Sequence, residues 1–248
     1  MREDGAASSF AGQYETYLGI SGVADVLAHV RKCWASGYSA HALSYRRRFG
    51  GAGPLRAHDL AVGVLELVDA RSAGVVFTLD PVTGDRERLI VEANWGFGES
   101  VVSGQVTPDY WAVERDSGRI LQRRVEGKDV WSVLGEPAGG QAGAGPRASV
   151  VLTPLPDDLA WAPCLSDDEV RYLCAKAAEL EAGQGVPQDV EWAIARNLDF
   201  PDCVFFLQHR PETTWTTPPP APPAQPAPAQ AFDPVQYALR HVFKVPGT

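Results

Sequence analysis

Gln188-Asp189-Val190-Glu191-Trp192-Ala193, followed by Leu207-Gln208-His209-Arg210-Pro211, reads as two β-strands in which polar and apolar residues alternate. Successive side chains on a strand point to opposite faces, so Asp189 and Glu191 share one face, as do Gln208 and Arg210. Paired as a hairpin, the two strands bring two carboxylates, one amide and one guanidinium onto one surface, while Val190, Trp192 and Leu207 pack on the other. Hard oxygen donors suit Mg²⁺, which takes a few protein oxygens and completes its shell with phosphate oxygens. An arginine beside them binds a phosphate through two parallel hydrogen bonds. D-x-E and Q-x-R are also common on hairpins that simply face water, and spacing alone leaves both readings open. His209, between Gln208 and Arg210, points away from their face. The two strands surround a longer connection that contains Asn197 and Pro201.

Working outward, Ser166 followed by Glu169 is a capping box that starts a helix running to about Ala182. Ala61–Val68, Gly74–Leu79 and Arg88–Ala93 are short apolar runs bounded by turn signals, as strands are. Asp80-Pro81-Val82-Thr83-Gly84-Asp85 is a turn between the last two. Tyr110–Glu114 and Arg119–Val125 flank Asp116-Ser117-Gly118 and predict a β-hairpin. Nearer the N-terminus, Val23, Val26, Leu27, Val30 and Trp34 recur at helical spacing over Gly22–Trp34, and a second helix is expected over Ala40–Arg48. Gly135–Pro146 reads as a glycine-rich surface loop. Thr216–Gln230 is a Pro/Ala tract too poor in core-forming residues to pack, and Phe232–Phe243 has the pattern of one short amphipathic helix. The whole predicts an α+β domain over residues 1–215, a linker over 216–230 and a short tail over 231–248.

The chain of 248 residues has a formal net charge of −9, which opposes a nucleic-acid partner. The Arg46-Arg47-Arg48 run reads as a solvated helix end. No apolar stretch approaches a membrane span and the N-terminus lacks the apolar core of a signal peptide, so a cytoplasmic location without a membrane partner is expected. Cys33, Cys164, Cys174 and Cys203 have no metal-ligand spacing and are expected as reduced thiols.

The hairpin does not stand alone. Ser9-Phe10-Ala11-Gly12-Gln13-Tyr14-Glu15-Thr16-Tyr17-Leu18, the stretch Arg31–Arg46 ending in Ala42, Tyr45 and Arg46, Ala73-Gly74-Val75-Val76-Phe77-Thr78-Leu79-Asp80-Pro81, Trp95-Gly96-Phe97-Gly98-Glu99-Ser100-Val101-Val102-Ser103-Gly104, Thr107-Pro108-Asp109 and Cys164–Glu169 precede it. In that order these blocks resemble the ATP-grasp nucleotide-binding domain of phosphoenolpyruvate synthase, pyruvate phosphate dikinase and rifampicin phosphotransferase. The resemblance covers roughly residues 3–215, the C-terminal portion of such a domain. It implies ATP and Mg²⁺ as cofactors, with Glu191 and Gln208 as metal ligands and Asp189 and Arg210 holding the phosphates or metal. It also implies a phosphate loop whose backbone amides around Ala11 and Gly12 cover the anion. Glu99 is left as either a ligand or a helix cap. Leu65 and Leu67 stand where the family usually shows glutamine and methionine near its adenine hinge.

In the family a lysine and an arginine from a preceding subdomain neutralise the triphosphate; they are expected upstream of Met1. The family's phosphate-accepting histidine lies in a threonine-serine-histidine-like context that His29, His41, His58, His209 and His241 do not share. The resemblance therefore implies a separate phosphohistidine carrier, as in split systems such as the phenylphosphate synthases, and a small-molecule phosphate acceptor beyond it. The alternative is a non-catalytic remnant or interaction subunit.

Overall fold

A computed structural model describes residues 4–5, 8–9, 14–44, 60–98, 101, 104, 106–135 and 149–215. The Pro/Ala tract, the tail, Arg46–Arg48, the phosphate-loop residues Ala11 and Gly12, and Glu99 lie outside the described residues. Two-residue strands β1 (Asp4–Gly5) and β2 (Ser8–Ser9) pair near the N-terminus, and helix α1 spans Val23–Ser36. The main sheet contains β3 (Ala70–Phe77), β4 (Arg88–Trp95), β5 (Asp109–Glu114), β6 (Ile120–Arg124), β9 (Gln188–Ala195) and β10 (Val204–Pro211). A second hairpin pairs β7 (Val130–Gly135) with β8 (Ser149–Pro154), and helix α2 runs over Asp167–Gln184. The six-stranded sheet has the order β10-β9-β3-β4-β5-β6 and every neighbouring pair is antiparallel. The domain is thus α+β.

One face of this sheet is the core. Alternation along β9 sends Val190, Trp192 and Ile194 inward, each at most 1% exposed, and Val76, Val91 and Trp111 join them from β3, β4 and β5. Helix α2 covers that face with Val170, Leu173, Cys174 and Ala177, the spacing of one helical stripe. Its start is the expected capping box: Ser166 N donates to Glu169 Oε2 at 2.8 Å, and Glu169 N donates to Ser166 Oγ at 3.3 Å. The other oxygen of Glu169 accepts from Arg71 Nη2 on β3 at 2.6 Å, which ties the helix start to the sheet. Gly185 ends the helix in the left-handed conformation, φ 74°, where a side chain would be strained.

The sequence expectation of a strand over Ala61–Val68 fails. Residues 60–69 contain no strand, because both edges of β3 are taken by β4 and β9. Leu67 and Val68 instead pack side chains against Ala73, Phe97 and Ala193, on the sheet face opposite α2. The β7–β8 hairpin was missed; its two strands flank the stretch expected as a loop, of which residues 136–146 lie outside the described region. Helix α1 has the predicted stripe, but Val23, Leu27 and Trp34 are exposed by 78%, 55% and 50%. Among the described residues no helix is long and apolar enough to cross a membrane.

Two further features fix the frame. Gly96 leaves β4 at φ 78° and lies so close to β7 that a Cβ there would approach Ser132 O to 2.1 Å. The glycine is required by that contact, and Phe97 N donates to the same carbonyl at 2.9 Å. At the start of β5, Asp109 and Lys128 form an ion pair of 2.6 Å with both side chains fully buried. Asp109 Oδ1 also accepts from Glu126 N at 3.0 Å and its Oδ2 from Cys164 N at 2.9 Å. Lys128 Nζ donates in addition to Glu126 O at 2.9 Å. The pair joins β5, the approach to β7 and the approach to α2. The four cysteines are free thiols, and burial pushes Cys174 up to about 12, which leaves it unreactive at neutral pH.

Candidate functional site

The face of the sheet opposite α2 carries the candidate residues. In the β9–β10 hairpin Glu191 is paired with Gln208 and Asp189 with Arg210, so the four side chains project from one surface. Register makes this possible. From Val204 to Phe206 the strands pair in one frame, and a β-bulge at Leu207 changes the frame before Gln208. Continued without the bulge, the first frame would set Gln208 against the core-facing Val190 and His209 against Asp189. The extra residue re-aims the polar half of β10 toward the carboxylates, a known use of bulges beside functional sites. Leu207 is therefore not packed with Val190 and Trp192 as expected; it is 51% exposed at the bulge. His209 is paired with Val190, away from the carboxylates, and its Nδ1 hydrogen-bonds Gln188 Oε1 at 3.0 Å.

Arg210 Nε donates to Asp189 Oδ2 at 3.2 Å. The other oxygen, Asp189 Oδ1, is buried and has no hydrogen-bond partner. Burial pushes the carboxyl of Asp189 above the ordinary carboxylate range; Arg210 opposes the shift and Glu212 adds to it. Glu191 is also raised, by burial first, with Arg210 lowering and Asp189 raising it. Two half-buried carboxylates side by side, one with an orphaned oxygen, are costly when ionised unless a cation joins them. Among the described residues no group of three or more His, Cys, Asp or Glu side chains is placed to hold a metal alone. Two carboxylates and an amide suit a hard cation that brings its own oxygens, as Mg²⁺ does with phosphates.

The pairing extends beyond the hairpin. Glu191 is opposite Val75, Val75 opposite Glu92, Glu92 opposite Tyr110, and Tyr110 opposite Arg124. Gln208, Glu191, Val75, Glu92, Tyr110 and Arg124 thus form a single row across all six strands, on the face opposite the core. Glu92, Tyr110 and Arg124 were not singled out from the sequence. For Glu92 the available signal was a lone carboxylate inside the apolar run Leu89-Ile90-Val91-Glu92-Ala93. Tyr110 and Arg124 offered none. Burial raises Glu92, with Arg124 opposing, and the Arg124 guanidinium stacks 4.3 Å from the centre of the Tyr110 ring.

A six-stranded antiparallel sheet, covered by a helix on one face and lined with paired carboxylates, amide and arginine on the other, describes a class of α+β domains. Within that class the chain belongs to the family described as pyruvate phosphate dikinase, AMP/ATP-binding domain, whose profile matches residues 1–229. It is similar to the probable phosphoenolpyruvate synthase of Staphylothermus marinus, 36% identical over 86% of this chain and 27% of the relative. It is similar also to the phosphoenolpyruvate synthase of Aeropyrum pernix, 35% identical over 99% of this chain and 31% of the relative. A third relative, the prodigiosin synthesizing transferase PigC of Serratia marcescens, is 36% identical over 88% of this chain and 22% of its own length. The chain therefore spans less than a third of the relatives it matches.

Proposed function

We propose that this chain is the ATP-binding component of a phosphoenolpyruvate synthase-like phosphotransferase of the ATP-grasp type, with the face of Asp189, Glu191, Gln208 and Arg210 as its Mg²⁺–phosphate site. The observation that carries this reading is the register of the hairpin, with Glu191 against Gln208 and Asp189 against Arg210, together with the partnerless Asp189 Oδ1. Glu191 and Gln208 are the metal ligands. Asp189 completes that side or orients Arg210, and Arg210 holds a phosphate oxygen. Bound there, Mg²⁺ would neutralise the phosphates; the chain's own contribution is to desolvate and position them, which is most of what phosphoryl transfer requires. The backbone around Ala11 and Gly12, and Glu99, are assigned to the phosphate end of the same nucleotide.

The accepting histidine and the final acceptor come from other domains or another polypeptide. Relatives that include both phosphoenolpyruvate synthases and a prodigiosin synthesizing transferase support an acceptor chosen outside this domain. The non-catalytic reading is opposed by the carboxylates themselves, since a face without a cation to bind gains nothing from burying Asp189 and Glu191. Calorimetry of the full chain tests the proposal. ATP is expected to bind only with Mg²⁺, with affinity reduced on the order of tenfold or more in Glu191→Ala and in Gln208→Ala. Unchanged affinity in both variants would remove the metal site.

A further inference from the structure

Strand β10 meets β9 in two frames. Residues 204–206 follow one, residues 208–211 the other, and the bulge at Leu207 separates them. A slip of one residue would restore a single frame and turn the side chains of residues 208–210 to the wrong faces. Among the described residues β10 is the last strand of its sheet, so no strand on its outer side fixes the choice.

The residues just beyond β10 are fastened back to the sheet. Glu212 N donates to Pro187 O at 2.9 Å. The buried Glu212 carboxylate accepts from Thr214 N and Trp215 N, which holds residues 212–215 as one turn. Trp215 Nε1 then donates to Pro81 O at 3.0 Å, and the indole lies over Gly84 in the turn between β3 and β4. A Cβ at Gly84 would come within 2.8 Å of two ring atoms, and its φ of 73° also favours glycine. The turn that receives the ring is itself well held. Asp80 Oδ1 accepts from Val82 N at 2.9 Å and Thr83 N at 3.2 Å, and Gly84 N donates to Asp80 O at 2.8 Å. Half of Trp215 stays exposed, so the ring adds little to the core. What the contact does is fix a position.

The geometry points to Trp215 and Gly84 as a clasp that locks β10 in its bulged frame and so positions Gln208 and Arg210 for the metal and phosphates. The inference rests on the reading of the hairpin as the Mg²⁺–phosphate site. The turn extends β3, whose Phe77 pairs with Asp189, so the clasp sets β10 against the strand that carries both carboxylates. A one-residue slip moves the chain beyond β10 by about 3.4 Å. That distance takes the indole off Gly84, Nε1 away from Pro81 O and Glu212 N away from Pro187 O. In the bulged frame all three contacts are made together with the bond from Arg210 Nε to Asp189 Oδ2 at 3.2 Å. Trp215 is a positioning residue that acts through β10.

Two measurements on the full chain test the clasp. Without nucleotide, amide hydrogen exchange is followed by NMR along β10. In Trp215→Ala the amides of residues 208–210 should exchange on the order of tenfold faster, while those of residues 204–206 keep their rates. With nucleotide, calorimetry should show Mg·ATP affinity about threefold lower, as when the bulged frame falls to about a third of the population. Trp215→Phe keeps a ring over Gly84 and loses only the N–H, so its effect should be smaller in both measurements. Gly84→Ala displaces the ring while leaving Trp215 in place and should match Trp215→Ala. The proposal is overturned if residues 208–210 exchange as in the unaltered chain, or if residues 204–206 quicken equally, which would make Trp215 a support for the whole edge. It is overturned also if Mg·ATP binds the unaltered chain and Trp215→Ala with equal affinity. Should the unaltered chain bind no Mg·ATP, the reading of the site fails, and the exchange rates still decide the clasp.

Discussion

Asp109 and Asp189 are aspartates of the same sheet with opposite surroundings. Asp109 is fully buried against Lys128, and both of its oxygens are hydrogen-bonded, to Lys128 Nζ, Glu126 N and Cys164 N. Asp189 is 14% exposed, has one oxygen on Arg210, and leaves the other buried without a partner. A buried charge with every bond made serves the fold; a half-buried charge with a bond missing is stable only in company that the chain does not itself supply. The two carboxylates thus differ in hydrogen-bond completeness, and the partnerless oxygen of Asp189 is the one the proposed Mg²⁺–phosphate site would use.

The largest effect that sharpens this contrast comes from Lys128→Met. It leaves Asp109 as a buried, unpaired charge, a loss of about 3–5 kcal/mol. A fall in Tm on the order of 10 °C is expected by calorimetric melting. A stability near that of the unaltered chain would mean that Asp109 is not held as described. Next comes Glu212→Ala. Both its oxygens cap the chain after β10, accepting from Thr214 N at 2.6 Å and Trp215 N at 2.9 Å, and the residue is 5% exposed. A loss of about 1–2 kcal/mol is expected in urea titration.

Asp189→Asn with Glu191→Gln should have the opposite sign. Both carboxyls are raised in the folded state, so their ionisation opposes folding. Below the ordinary carboxylate pKa both are protonated in the folded and the unfolded chain and the penalty is absent. It develops as pH rises from there through the raised values, and is complete above them. The double variant should therefore melt above the unaltered, metal-free chain at pH 7, by on the order of 2 °C, and the gap should close as pH falls toward 4. A gap that widens with acid would contradict the assigned shifts. The smallest effect is expected from His209→Ala, which loses the bond to Gln188 on the opposite face: about 0.5 kcal/mol of stability, with Mg·ATP affinity unchanged.

Much of the fold was legible because its elements are locally coded. The capping box Ser166/Glu169, the Asp116-Ser117-Gly118 turn and the alternation of β9 each follow from neighbouring residues, and each appears where expected. The membership of Asp189, Glu191, Gln208 and Arg210 in one face was legible too. Its cause was not: the frame change at Leu207 depends on how β10 meets β9, and no local pattern encodes it. Ala61–Val68 has a strand's composition, yet both edges of β3, the strand that follows it, are taken by β4 and β9, which is a property of the assembled sheet. The row of Glu92, Tyr110 and Arg124 is invisible for the same reason, since its members come together only through the register of two different strand pairs.

The measurement nearest the central claim is a set of melting curves of the full chain with and without Mg·ATP. A ligand that binds only the folded state raises stability by about 2.7 kcal/mol at a hundred times its dissociation constant. Tm should therefore rise clearly in the unaltered chain and in His209→Ala, and by at most about half as much in Glu191→Ala and Gln208→Ala, where tenfold weaker binding leaves about 1.4 kcal/mol. An equal rise in all four would contradict the assignment of the metal–phosphate site to this face.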